Sequence, residues 1–352
     1  MQHFRISFVV TIVLMALAGW WGYSHGGVGG LAQALWVTAV LGVLEVSLSF
    51  DNAVVNASVL RHWNEFWRKL FLTVGIVIAV FGMRLIFPLL IVSMATGLGL
   101  LDVWTMATTT PEVYSRHLIG AHAEVAAFGG AFLLLVFLNF LFDDCKELHW
   151  LGWIEQKMSQ HGTESLAVLL ALLAVFGCVA LVGAGEQYKV LTAGVVGVCV
   201  YLAVGWLSSL LEEDQPQDDD DTTEAGVGQV AATVAKGSFG GFLYLEVLDA
   251  SFSFDGVIGA FAITSDVVII MLGLAIGAMF VRSMTVFLVH KGTLDEYVYL
   301  EHGAHYAIGI LALIMLASVK YHIPEWFTGL SGVAFIAVSI WSSLRHKRKH
   351  AA

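Results

Sequence analysis

The sequence predicts an all-α polytopic membrane protein of about ten transmembrane helices, with two inverted-topology three-helix repeats. Three observations carry that reading. Of 352 residues, 58% are hydrophobic and 13% charged, whereas soluble domains are nearer half apolar and a quarter charged. Apolar runs of membrane-spanning length recur along the chain. One polar motif occurs twice, with its accompanying landmarks in the same order. The same composition argues against disorder and nucleic-acid binding. The three cysteines form no metal-ligand or disulfide pattern.

A bilayer core of about 30 Å needs roughly 20 apolar residues of helix. Such runs lie near 6–22, 31–60, 70–95, 124–142, 165–184, 189–210, 236–263, 267–289, 304–320 and 326–344. The first follows a lone Arg5 and has the outline of a secretory signal. Bulky Gly19-Trp20-Trp21 stands where a small-residue cleavage site would fall, so an uncleaved helix is expected. The second run is too long for one straight span, and the seventh continues an apolar stretch that begins before Lys236; both are expected to be broken or tilted. Trp20, Trp21, Trp36, Trp63, Trp67 and Trp326 lie near span ends, as interfacial anchors do.

Loop charges orient the chain. With the N-terminus in the cytoplasm, eleven loop lysines and arginines fall on that side, and only Arg116, Lys189 and Lys320 on the other. This asymmetry predicts both termini inside. The formal net charge of −11 owes eight acids to the stretch 212–224, which reads as a solvated cytoplasmic linker.

Residues 45–54 read Glu-Val-Ser-Leu-Ser-Phe-Asp-Asn-Ala-Val and residues 249–258 read Asp-Ala-Ser-Phe-Ser-Phe-Asp-Gly-Val-Ile. Arg84 in the third span is matched by Arg282 in the eighth. Gly120-Ala121-His122 and Gly303-Ala304-His305 precede the fourth and ninth spans. Spans 2–4 and 7–9 are therefore read as copies displaced by five spans, an odd number, which inverts one relative to the other. Inverted repeats are an architecture of alternating-access transporters. The expected organisation is an N-terminal helix (1–30), a first repeat (31–142), two connecting helices with the acidic loop (143–227), a second repeat (228–322), and a last helix with a basic tail (323–352).

A carboxylate in hydrocarbon costs about 2.5–3.5 kcal/mol on insertion scales. Glu45, Asp51, Glu246, Asp249 and Asp255 all sit in apolar helices, so each needs a proton, a cation or an arginine from elsewhere. Glu45, Ser49 and Asn52 share one helical face, while Ser47 and Asp51 form a second pair. Asp249 with Ser253, and Ser251 with Asp255, repeat the arrangement, and Glu246 joins the face of Asp249. Glu45 and Asp51 are six apart, so either the helix unwinds between them, freeing carbonyls, or they serve different partners. The donors are all oxygens, which suits hard divalent cations such as Mn²⁺ or Ca²⁺. Arg84 and Arg282 are expected to offset the acids once a cation leaves. His122 and His305 open equivalent helices and are candidates for an ion-entrance site or a pH sensor. Ordinary polar packing between helices is the bland alternative for the serines.

At Glu45 with Ser49-Phe50-Asp51-Asn52, at Ser253-Phe254-Asp255-Gly256, and at Arg84 and Arg282, the sequence resembles the TerC-type family, named for tellurium resistance. With Gly120-Ala121-His122 and Phe142-Asp143-Asp144 it resembles the DUF475-type relatives of that family more closely. The resemblance covers spans 2–9. It implies an inverted-repeat transporter of the lysine-exporter-like superfamily, some members of which export Mn²⁺ or Ca²⁺. Carried over residue by residue, it implies that Glu45, Asp51, Asn52, Asp249 and Asp255 hold the ion. Gly256, where a polar residue is common, and the extra acid Glu246 depart from the pattern. The expected function is export of a divalent metal cation across a bacterial cytoplasmic membrane, without enzymatic activity or a resident cofactor. Two rivals are a membrane scaffold that recruits cytoplasmic stress-response proteins and an exporter of another small solute. An intramembrane enzyme is disfavoured, since neither His-Glu-x-x-His nor Gly-x-Ser-x-Gly is present.

Overall fold

A computed structural model describes residues 4–212, 237–290 and 297–350, apart from 76, 145 and 147; the side chains of 208–212, 255, 290, 325, 326 and 350 are also outside it. Every regular element among the described residues is helical. In order they are α1 (Arg5–Leu48), α2 (Phe50–Leu60), α3 (Glu65–Leu70), α4 (Phe87–Thr96), α5 (Leu100–Thr109), α6 (Pro111–Gly120) and α7 (His122–Phe142). Then come α8 (Gly152–His161), α9 (Glu164–Leu181), α10 (Gln187–Glu212), α11 (Phe239–Ile263), α12 (Val267–His290), α13 (Leu300–Ser318) and α14 (Glu325–His350). Two π-helical segments, Phe71–Gly75 and Ile78–Ile86, stand between α3 and α4.

Among the described residues eight helices are long and apolar enough to cross a membrane, against the ten spans expected. The difference has two sources. Helix α1 runs through the first expected span and into the second, and α11, at the seventh, carries three acids and is too charged to qualify on composition.

Helix α1 is nevertheless not one straight rod. Gly26 and Gly27 leave helical geometry, and Gly27 takes φ 59°, which glycine adopts without Cβ strain. A Cβ added to Gly22 would strike the Gly30 carbonyl, and one added to Gly30 would strike that of Gly22. Residues eight apart on an unbroken helix stand about 12 Å apart. The chain therefore doubles back at Gly26-Gly27, and α1 is a helical hairpin whose arms touch at glycine.

The expected break in the second run falls at Ser49, between α1 and α2 (φ −102°, ψ 19°). Of the break or tilt expected in the seventh, the break is absent: α11 is a continuous 25-residue helix, in which Ser251 Oγ bonds back to Val247 O. The region between the third and fourth spans holds the ten-residue helices α5 and α6, each opened by a glycine or threonine N-cap position.

Helix α7 forms the centre, buried along most of its length and packed against α13, α10 and α9. Phe132 at its middle meets Tyr201 edge-on, with ring centroids 5.6 Å apart. Both arms of α1 lie along α12, through Ser7 and Gly42, and α14 closes the bundle against α13. This packing brings the break at Ser49 inside, facing α11 and α14.

Candidate functional site: a polar cavity at the helix break

Ser49 divides a helix that is buried along nearly all of its length after the break and on the Glu45 face before it. The Ser49 N–H still donates to Glu45 O (2.9 Å) and Ala53 N–H to Ser49 O (3.3 Å). The Asn52 N–H, which an unbroken helix would aim at Leu48 O, donates instead to Asp51 Oδ1 (3.0 Å). The Leu48 carbonyl is thus released from that bond, beside the acid. Discontinuous helices supply ion sites in membrane proteins in this manner.

A cavity of about 30 Å³ opens at the break, lined by Glu45, Leu48, Ser49, Asp51 and Asn52. That volume admits a water-sized occupant, which needs ~10–15 Å³ on the same measure. Phe252 and Gly256 of the second motif line it too, with Thr328 and Gly329 of α14. Asn52 Oδ1 is buried and has no hydrogen-bond partner among the described residues. An unpaired buried oxygen costs about 1–3 kcal/mol, so the site is polar beyond what its own bonding requires.

Glu45 is 1% exposed and is held by an ion pair with Arg84, while Ser49 Oγ donates to the same carboxylate oxygen (3.0 Å). Arg84 also donates to Ala79 O (2.6 Å), five residues back in its π-helical segment, which fixes the guanidinium. The other Glu45 oxygen rests against Gly256: a Cβ there would lie 2.9 Å from it. This explains the glycine where the family resemblance implied a polar side chain. A larger residue there would require the Glu45 carboxylate to shift.

The two motif segments meet. Asn56 Nδ2, one turn beyond Asn52, donates to Asp249 Oδ1 (2.9 Å) and ties α2 to α11. Asn56 was missed in the sequence, although Asn52 and Asn56 form a polar i, i+4 pair in an apolar run.

Other expected site residues stand elsewhere. Ser47 is exposed and bonds its own Val43 carbonyl (2.8 Å); Ser251 does the same with Val247 (2.9 Å). Ser253 Oγ is buried without a partner among the described residues. Glu246 is outside the cavity, against Gly75 of the first π-helical segment, and neither of its oxygens has a partner among the described residues. Arg282 donates from Nε to Leu72 O (2.8 Å) rather than mirroring the Arg84 pair. His122 and His305 do not line the cavity; His305 stacks on Phe140 (3.9 Å) and bonds Glu301 O (2.9 Å). Asp255 lies one residue before Gly256, but its side chain is outside the described residues, as are Glu213 to Glu224 and Lys236. Among the described residues no group of three or more His, Cys, Asp or Glu converges as metal ligands. Among the described residues the cavity combines two carboxylates, Glu45 and Asp51, with neutral oxygens, and neither Glu246 nor Asp249 lines it.

A second polar network, also missed, fastens α8 to α13. Glu155, fully buried, accepts from Trp150 N–H (3.1 Å), Leu151 N–H (3.2 Å) and the Tyr306 hydroxyl (3.0 Å), with His302 Nε2 at 3.5 Å. It is the buried residue of α8 and the helix's anchor. Glu155→Leu, which strands these donors, is expected to destabilise the protein by about 2–3 kcal/mol. Glu155→Gln, whose amide oxygen still accepts, is expected to cost less. Unfolding of both variants in detergent micelles checks this, and equal losses would refute the hydrogen-bond account.

Fold and cavity together define an all-α multi-pass membrane protein with a buried, oxygen-lined site at a broken helix. The family described as "Protein of unknown function (DUF475)" matches residues 50–350, and the chain belongs to that family. It is also 32% identical over 107 residues to a Bacillus subtilis (strain 168) protein named "Uncharacterized membrane protein YceF". That stretch is 30% of this chain and 40% of the relative's length. No solved structure matches the chain.

Proposed function

We propose that this protein is a secondary transporter that exports a divalent cation, Mn²⁺ or Ca²⁺, by alternating access, as the TerC-type resemblance implies. The single observation that carries the reading is the cavity at Ser49. It gathers two carboxylates, a hydroxyl, an unpartnered amide oxygen and a released backbone carbonyl at a break in an apolar helix. Such a donor set is hard and all-oxygen, the chemistry of Ca²⁺ and Mn²⁺ rather than of thiolate-seeking metals.

In this mechanism the cation binds between Asp51 and the neutral oxygens. Arg84 holds Glu45 when no cation is bound and yields it when one arrives. Residues 31–142 and 228–322 act as inverted repeats that rock about the contact between α2 and α11, opening the site to each side in turn. The membrane is the bacterial cytoplasmic one, with both termini inside. The work is transport rather than catalysis.

One observation favours a second reading. With Glu45 already paired to Arg84, the charge left open among the described residues of the cavity is that of Asp51, which also suits a small singly charged solute. A scaffold for cytoplasmic stress-response proteins would instead tolerate changes at Asp51.

Mn²⁺ and Ca²⁺ flux into proteoliposomes distinguishes these readings. Asp51→Asn and Asp255→Asn are both expected to abolish flux that the native protein supports. Native protein that moves neither ion under a proton or Na⁺ gradient would overturn the metal reading.

A further inference from the structure

The last helix lies outside both copies of the duplicated motif, and its sequence reads as a plain span with a basic tail. The structure gives it a different place. Thr328 and Gly329 line the cavity opposite Asp51 and Asn52. Gly332, one turn on, is buried, and a Cβ built on it would lie 2.6 Å from Asp51 Oδ2. A Cβ on Gly329 would lie 2.7 Å from Leu48 Cδ2. Positions 328, 329 and 332 fall on one helical face. That face fits directly against both sides of the break at Ser49. The opposite face carries Leu330, 60% exposed, and Trp341, 59% exposed, toward the bilayer.

Two features of this face bear on ligand chemistry. Thr328 is a hydroxyl-bearing residue in the lining of a cavity where, among the described residues, Arg84 already pairs with Glu45. The two glycines are the reason Leu48 and Asp51 can stand where they do, since any side chain at 332 would occupy the carboxylate's space. The Asn52 amide oxygen, buried in the same cavity without a partner, is an independent sign that the enclosed site is built for a ligand.

We propose that α14 is the third wall of the cation site, with Thr328 as an oxygen donor to the bound divalent ion and Gly332 as the position that sets the reach of Asp51. This rests on the transporter reading above and deepens it. The site is assembled from the first motif, the second motif and a helix that belongs to neither.

The test is Mn²⁺ binding to the purified full chain in detergent, read from the free-ion electron paramagnetic resonance signal. It compares the native protein with Thr328→Val, Thr328→Ser, Gly332→Ala and, on the outer face, Leu330→Ala. Thr328→Val and Gly332→Ala are expected to weaken binding about tenfold, the scale of one lost ligand contact. Thr328→Ser, which keeps the hydroxyl, and Leu330→Ala are expected to stay near the native value. Thr328→Val keeps the side chain's size, so it remains informative should Gly332→Ala fold poorly. Native-like binding by Thr328→Val, with binding lost in Asp51→Asn, would overturn the role of α14 and leave the cation site standing. Absence of Mn²⁺ and Ca²⁺ binding by the native protein would overturn both.

Discussion

Arg84→Met is expected to destabilise the folded protein by about 3–5 kcal/mol, the usual cost of leaving one member of a buried ion pair without its partner. Both side chains are almost wholly enclosed, at 7% and 2% exposure, so bulk solvent cannot compensate the charge left behind. Glu45 would keep only the Ser49 hydroxyl. The double variant Glu45→Gln with Arg84→Met removes both charges and is expected to recover most of that stability, because a buried pair contributes little beyond its own desolvation. Unfolding in micelles reads both effects. A loss below about 1 kcal/mol in the single variant, the range of solvent-exposed pairs, would mean that Glu45 is not held as a buried anion. Cation flux separates stability from function: the double variant is expected to fold and to transport poorly, since the cavity has lost one of its two acids.

The acids of the duplicated motif are expected to part company when neutralised one at a time. Asp51→Asn should weaken Mn²⁺ binding by at least about tenfold, or 1.4 kcal/mol, because Asp51 lines the cavity without an arginine of its own. Glu246→Gln should leave binding unchanged and raise thermal stability. Its carboxylate is buried against Gly75 with no partner for either oxygen among the described residues, and a neutral amide there is less costly to bury than an unpaired carboxylate. Equal binding losses in the two variants would show that Glu246 reaches the ion after all. A drop in stability on Glu246→Gln would show that its charge has an unrecognised use.

The membrane class and helical fold were legible in the sequence because both follow from local quantities. Run length and apolar content decide whether a segment can span a bilayer, and the backbone must then be helical to satisfy its own hydrogen bonds. The break near Ser49 was legible for a similar reason, since a 30-residue run exceeds one span and Glu45 and Asp51 point apart on a regular helix. Spacing also placed Glu45, Ser49 and Asn52 together, as three residues of one face that now line one cavity. Spacing failed where partners come from distant helices. It could not show that Arg84 reaches Glu45 while Arg282 turns to the Leu72 carbonyl. It grouped Glu246 with Asp249 by helical face, yet the neighbouring π-helical segment covers one and Asn56 holds the other.

By itself, then, the sequence determined that this is a polytopic helical membrane protein with acids in its apolar core, and that its second long run must be broken or tilted. Those properties depend on hydrophobic length and helical period, which neighbouring residues set. Only the tertiary structure decided which acids share a cavity, which are neutralised, and that Thr328 and Gly332 of the last helix help to enclose the site. Those outcomes depend on helix-to-helix contact across tens to hundreds of residues. A single added carbon at Gly256 or Gly332 would change them without altering the pattern that predicts the spans.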